Sequence, residues 1–494
     1  MSKPEEIPSA STSSQASEQS LLDQIVDQGR FGRGEAAKER GRDLIRGFVA
    51  QLLEGSLTIS HDTEAMINAR IAQIDQIVSL QLNEILHNKE FQKLEGSWRG
   101  LKYLLDQSET GTQLRIRVLN VSRDELLRDL QRATEFDQSN MFKMIYEEGY
   151  GVHGGEPFSA LIGDYEFGRH PEDMELLQKM SGVAASAHAP FLSAASPELL
   201  NLESFAELSA PRDIAKIFDN TEFTKWKAFR DSEDSRYVAL TLPHVLMRLP
   251  YGKNTATIEG FNYEEGVDGK DHSKYLWGNA AYALGARMTN AHALYGWCVA
   301  IRGVEGGGQV LGLPAHTFPT EDGDIALKCP TEIAITERRE KELADHGLVG
   351  LVHRKGSDNA TFFSVQSCNK PKRFNTDSAN ANARLSAQIP YIMATSRFAH
   401  YLKAMMREKI GLSMTRTEIY QLLNTWISQY VVSNPDAVGA DIKAQYPLSE
   451  ARVEVEDVPG KPGAYRAVAY LKPHFQLEEL GISMRLVAEL PTRA

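Results

Sequence analysis

Only three cysteines occur in 494 residues: Cys298, Cys329 and Cys368. The set is odd, widely spaced and without a C-x-x-C pair, so neither a disulfide framework nor a thiolate metal site is expected. Small buried thiols in a reducing, cytoplasmic setting are the expectation. Long hydrophobic runs are missing as well. No stretch of about 18 apolar residues appears, which argues against a membrane-spanning helix. The most apolar stretch, 278–301, is broken by Asn279, Arg287, Asn290 and His292. Basic charge is in deficit: 54 Lys and Arg against 66 Asp and Glu leave a net charge of −12. Nucleic-acid binders usually carry a basic stripe, so no nucleic-acid partner is expected. Residues 1–20 are rich in Ser, Glu, Pro and Gln, with no basic start and no apolar centre. No secretory signal is expected there.

Catalytic motifs are also absent. Gly32, Gly34 and Ala37 fit the loose G-x-G-x-x-A pattern, but no strand precedes them and they sit among charges. The glycines of 303–308 lack the following Lys and Ser/Thr of a phosphate loop and read as a turn. His346 and His353 stand seven apart, outside H-E-x-x-H or H-x-x-E-H, so no metal site is expected. No G-x-S-x-G elbow occurs. Adjacent carboxylates such as Glu147 and Glu148 point apart in any regular element. No catalytic, cofactor-binding or metal-binding residue is assigned, and the chain is not expected to be an enzyme.

What the sequence does contain is ordinary globular material, 42% hydrophobic and 24% charged, enough for two to four domains. Residues 1–20 read as a disordered tail. Leu21, Leu22, Ile25 and Val26 then form a short amphipathic helix, marginal alone, which must dock on its own domain or on a partner. A second helix is expected at 43–54. A third starts at 60 or 63 and carries Ile67, Ile71, Ile74, Val78, Leu82 and Ile85 on one face. A fourth covers 88–105, where Gly96 and Gly100 would let another backbone come close, most simply within the same chain.

From 113 the period changes. Leu114, Ile116, Val118 and Val121 are interleaved with Arg115, Arg117 and Asn120, which predicts a half-buried strand. Ser122 and Glu125 form a capping box. Strands are expected at 158–163, 237–242, 325–329, 332–335 and 361–365. Helices are expected at 171–188, 211–219, 221–231 and 337–345. This alternation is that of a three-layer α/β domain. A polar stretch at 370–382 marks a boundary. Beyond it come a helix over 380–408 kinked at Pro390, a helix capped by Thr415, a hairpin at 451–472 and a last strand at 482–490. The expected division is 1–20, 21–60, 61–375 and 376–494. The hairpin edge either takes a strand from another chain or pairs within its own sheet.

Several blocks carry a family resemblance. They run through Phe91–Leu105 (with Trp98-Arg99-Gly100), Leu246–Gly252, Phe261–Glu265, Tyr275–Ala280 and Gly312–Pro314. They continue with Pro330–Ile333, Leu343–Gly347 and Ala383–Tyr391. In this order the chain resembles the large sheath subunit of the bacterial type VI secretion system, the TssC family, over about 60–494. The resemblance implies a mixed α/β fold like that of contractile phage-tail sheaths, with a helical N-terminal region and a C-terminal helix-plus-hairpin region. It implies a structural protein that pairs with a small sheath subunit as a heterodimer. Six-fold rings of heterodimers would stack in the cytoplasm as a helical tube around a hexameric inner-tube protein, anchored on a baseplate. Contraction would drive the inner tube and its effectors out of the cell, and a AAA+ unfoldase would recycle the sheath. On this resemblance Leu21, Leu22, Ile25 and Val26 are the helix that the unfoldase reads. Val453, Val455, Tyr465, Val468 and Tyr470 belong to strands shared between subunits, and Glu478 and Glu479 face the inner tube. The alternatives are a hydrolase or transferase whose site no motif encodes, and the sheath of a phage-tail-like particle.

Overall fold

The computed structural model describes residues 35–53, 63–211, 213–320, 323–432, 434–461 and 464–474. The expected helix at Leu21–Val26, the pair Glu478 and Glu479, and the last strand at 482–490 lie outside the described residues. The chain forms two compact units, 1–81 with 259–263, and 82–258 with 264–494. In the first, helix α1 spans Glu35–Leu53, starting earlier than the apolar pattern alone suggests. Helix α2 spans Thr63–Leu86. Its Ile67, Ile71 and Ile74 remain 44–51% exposed.

The second unit is built on a six-stranded sheet. Its strands are β1 (Leu161–Phe167), β2 (Phe191–Ala195), β3 (Val238–Leu242), β4 (Gln309–Val310), β5 (Leu348–His353) and β6 (Ala360–Phe362). The spatial order is β1-β2-β3-β5-β6-β4, parallel from β1 to β5 and antiparallel beyond. The period-2 pleat sends alternate side chains to opposite faces. Phe191, Val238, Leu240 and Leu348 meet helix α5 (Pro171–Ala187) on one face. Leu192, Ala239, Val349 and Leu351 meet helix α6 (Ala281–Tyr295) on the other. Leu176, Leu177 and Met180 of α5 are wholly buried, each contributing about 1.5–3 kcal/mol over exposure. Burial on both faces makes the central strands read as continuous apolar runs, and the three-layer expectation holds.

Five further helices position the surfaces considered below. Helix α3 (Lys89–Asp106) packs Gly96 and Gly100 against 277–282. A Cβ at Gly100 would lie 2.4 Å from the Tyr282 ring, so the glycine pair serves contact within the chain. Helix α4 (Arg123–Arg132) starts with the expected Ser122–Glu125 capping box. Helix α7 spans Glu337–Asp345. The single helix expected at 380–408 is two, α8 (Asp377–Leu385) and α9 (Ile389–Glu408). Pro390 does not kink it. It occupies the first turn of α9, where its missing N–H has no helical partner to lose. Helix α9 gives Ile389, Ile392 and Met393 to the sheet-side core, and Ala394 and Phe398 to a separate C-terminal core. Its Arg407 donates to the carbonyls of Tyr150 and Val152, both at 2.6 Å.

Three expected strands differ. Residues 114–121 belong to no strand: Val118 and Leu119 are 67% and 52% exposed, and no ladder partner stands beside them among the described residues. Alternation marks a pleated segment, but a strand also needs a neighbour. The strand at 325–329 is Ile325–Leu327, paired with Thr317–Pro319 in a separate ribbon. At 332–335 there is no strand; Thr331 makes one isolated bridge to Val245.

One ion cluster clamps the sheet end. His244, just past β3, meets Glu332 through Nδ1 at 2.6 Å and Glu166 of β1 through Nε2 at 3.0 Å. A carboxylate on each ring nitrogen calls for two N–H donors, the imidazolium. Burial works against that charge, but the hydrogen bonds and charges of Glu166 and Glu332 outweigh it and raise the pKa from 6.5 to about 10. A raised folded-state pKa gives stability that is complete below pH 6.5 and lost as pH rises through 10. The stability gap between wild type and His244→Gln, from urea melts, is therefore expected to be widest below pH 6.5 and to shrink toward pH 10. A gap independent of pH would contradict the charged state.

Candidate assembly interface

The C-terminal core is assembled on helix α10 (Arg416–Ser428). Thr415 and Glu418 form its capping box, each side chain accepting from the other's backbone N–H. The face Ile419, Leu423, Ile427 packs on Val453 and Val455, beside the stacked rings of Trp297 and Phe398 at 4.3 Å. Those valines lie on β7 (Leu448–Asp457), which pairs antiparallel with β8 (Tyr465–Pro473) and with no other strand among the described residues.

Which hairpin edge is free follows from one side chain. Asn424 of α10 accepts from the Val453 N–H at 2.9 Å and donates to the Val453 carbonyl at 2.8 Å. Both backbone groups of Val453 therefore point away from β8. In an antiparallel pair this outward orientation alternates and is shared by the opposite residue. Val453 lies opposite Ala469, so Tyr465, Ala467, Ala469 and Leu471 also aim their backbone groups away from the hairpin. The Val458 N–H bond to Ala464, at 3.0 Å, agrees with that phase. The β7 edge is thus blocked at Val453 by a carboxamide, and at Leu448 by backbone bonds with Tyr430 and Val432. The β8 edge has no backbone partner among the described residues.

The five strand residues singled out from sequence divide between two faces. Val453 and Val455 are buried under α10, and Tyr465 packs against the same core. Val468 and Tyr470 lie on the opposite, charged face, where the Arg452 guanidinium stands 4.7 Å over the Tyr470 ring. Sequence reasoning missed Asn424, whose role depends on a helix lying beside a strand edge. It also missed Ala467 and Ala469, whose contribution is backbone and leaves no side-chain signal.

A second feature brings the resembling blocks together. Arg248, buried, donates to Glu95 at 2.8 Å and grips Glu265 with two bonds of 2.6 and 3.1 Å. Glu95 also accepts from Arg99, which reaches the Tyr251 hydroxyl at 2.9 Å. Three blocks distant in sequence thus share one buried knot.

Residues 68–369 match the VipB family model, described as EvpB/VC_A0108, tail sheath N-terminal domain. Residues 378–490 match its companion, the tail sheath gpW/gp25-like domain. The chain belongs to this tail sheath family. It is 49% identical over 460 residues to the type VI secretion system sheath protein TssC1 of Pseudomonas aeruginosa, covering 93% of this chain and 92% of the relative. Two cryo-EM structures of the anti-feeding prophage also show similarity. The baseplate aligns with 64% of this chain and 66% of its own at TM-score 0.35 and 10% identity. The contracted helical sheath aligns with 63% and 66% at TM-score 0.30 and 11% identity. Family membership makes the chain a structural subunit of a self-assembling type VI secretion sheath, and the hydrolase or transferase alternative is not favoured. Among the described residues no helix is long and apolar enough to cross a membrane.

Loss of the Asn424 carboxamide is expected to show locally. Asn424→Ala should cost about 1–2 kcal/mol, the net value of two hydrogen bonds, and speed hydrogen exchange at the Val453 amide. Exchange at the wild-type rate would mean that something else guards this edge.

Proposed function

We propose that this sheath subunit pairs with a small sheath subunit, and that the heterodimers stack as six-fold rings around an inner tube, on a baseplate in the cytoplasm. Contraction of the stack drives the inner tube and its effectors outward. The observation that carries the reading is the hairpin with one blocked edge and one open edge. A strand from a neighbouring subunit adds to β8, facing the backbone of Ala467 and Ala469. Val453, Val455 and Tyr465 anchor the hairpin, while Val468 and Tyr470 line the face beside the joint. Each added backbone bond contributes about 0.5–1.5 kcal/mol, so one borrowed strand holds neighbours together by a few kcal/mol. Ladder bonds then travel with the subunit while flexible connections bend. An extended lattice of higher free energy than the contracted one stores the work at assembly.

The remaining assignments belong to the same proposal. The chain divides at 20, 60 and 375. Leu21, Leu22, Ile25 and Val26 are the anchors of a helix that a AAA+ unfoldase takes into a groove, and Glu478 and Glu479 face the inner tube as an acidic pair.

Electron microscopy of the chain co-expressed with its small subunit tests the assembly, and tubules with a cogwheel cross-section are expected. Ala467→Pro removes an N–H that makes no bond inside the hairpin, so the isolated chain should fold and the tubules should be lost. Normal tubules from this variant would refute strand addition at β8. Removing residues 1–30 should leave tubules intact and abolish capture by the unfoldase; unchanged capture would discard the N-terminal helix as its handle.

A further inference from the structure

The three thiols stand in different surroundings. Cys368 is wholly buried, and burial pushes its thiol up to about 12. Cys298 donates to the Met288 carbonyl at 3.4 Å, and loss of hydration pushes it up to about 12 as well. The thiolate is the nucleophile, so both are inert at neutral pH. Cys329 differs. It lies half-buried between the ribbon strand Ile325–Leu327 and Thr331, which bridges to Val245. Its sulfur stands 3.2 Å from the Thr331 hydroxyl and accepts from the Thr331 N–H. His353, the last residue of β5, hydrogen-bonds the same sulfur. Burial works against a thiolate here, but the bonds from His353 and Thr331 outweigh it and hold the thiol below its usual value. The bond to Cys329 in turn raises the His353 imidazole above its own, against burial.

A backbone carbonyl decides where the His353 proton sits. The Ser357 carbonyl, an acceptor only, lies 2.7 Å from Nε2. Nε2 therefore carries a hydrogen, and Nδ1 is left for the sulfur. Nδ1 takes the thiol proton, and the imidazolium so formed donates on both sides. Lys328, the preceding residue, is buried with its Nζ on the Gly269 carbonyl at 2.9 Å, and its positive charge also acts on Cys329. His353 and Lys328 are the charged groups that bear on the sulfur. A thiol that is partly open to solvent and held by cations and a backbone N–H is reactive rather than structural.

We propose that Cys329 and His353 form a nucleophilic pair that exchanges with low-molecular-weight disulfides, making Cys329 a site of reversible S-thiolation. The Cys329 proton passes to Nδ1 of His353. The thiolate attacks one sulfur of the small disulfide, a new S–S bond forms at Cys329, and the old S–S bond breaks. The departing thiolate takes the proton back from His353 and leaves as a thiol. One protein thiol and one disulfide thus give one mixed disulfide and one free thiol. The site lies apart from the hairpin and is independent of the assembly proposed above. Glu332 of the His244 cluster is three residues further on, so the adduct forms beside the clamp at the sheet end.

Incubation of the full folded chain with glutathione disulfide, followed by peptide mass spectrometry, reads the site directly. One adduct is expected, on Cys329, with Cys298 and Cys368 modified only after unfolding in urea. An unmodified Cys329, or equal modification of all three in the folded chain, overturns the proposal. The rate against pH isolates the part played by His353. The midpoint for Cys329 should lie below that of an ordinary thiol, about 8.5. His353→Gln should move it up toward that value and slow exchange at pH 7 by about fivefold, the loss of thiolate being partly offset by its greater nucleophilicity. Identical profiles for wild type and His353→Gln would refute the pair. Should the variant melt early, the wild-type profile decides alone: a midpoint below about 8.5 supports the pair, and one at or above it counts against it.

Discussion

A strand at the rim of a sheet exposes a row of backbone donors and acceptors, and each must find a partner in protein or water. This subunit meets that requirement unevenly. At β7 a side-chain carboxamide imitates a neighbouring strand and closes the edge at Val453. At β8 the corresponding groups have no backbone partner among the described residues. A monomeric protein would cover or blunt such edges to avoid aggregation. In a protein that functions as a lattice such edges offer other chains a place to attach. On the strand addition proposed at β8, the blocked edge matters as much as the open one, because it confines addition to one side of the hairpin.

Buried charge sets the framework behind these edges. Arg248, Glu95 and Glu265 are held by mutual bonds, as are His244, Glu166 and Glu332. Taking such groups from water is costly, and removing one partner of a buried pair typically costs about 3–5 kcal/mol. The reward is geometric: the Arg248 knot ties α3 to the loops after β3, and the His244 cluster ties β1 to the segment before α7. Residues that looked like unrelated family markers along the chain are partners in these knots. Linear order gives no hint of that, because a carboxylate and its guanidinium can be over a hundred residues apart.

Local features were the most legible in the sequence. The capping box at Ser122, the cap at Thr415, the glycine pair at 96 and 100, and the hairpin near 451–472 each depend on residues close in the chain, and each is present. Expectations failed where the deciding contact was remote. The alternation at 114–121 predicts a half-buried strand, yet whether such a segment becomes a strand depends on a neighbour, and none pairs with it among the described residues. Pro390 suggested a kink because the break at 386–388 leaves no strong signal of its own. Asn424 was silent because its meaning arises only when α10 lies along β7. Of the assembly surface, the hairpin was visible in advance, while the edge that remains open was a matter of hydrogen-bond phase.

Helix α9 belongs to two cores at once, with Ile389 and Met393 in one and Phe398 in the other, and Arg407 fastened to the turn at 150–152. A hinge between the hairpin domain and the α/β domain would have to tear one of those cores. A load applied at β8 therefore passes along this helix as along a strut. On the strand addition proposed here, sliding between neighbouring copies is taken up in the tethers of the added strands, while the α/β domain and the hairpin joined by α9 move together as one stiff brick.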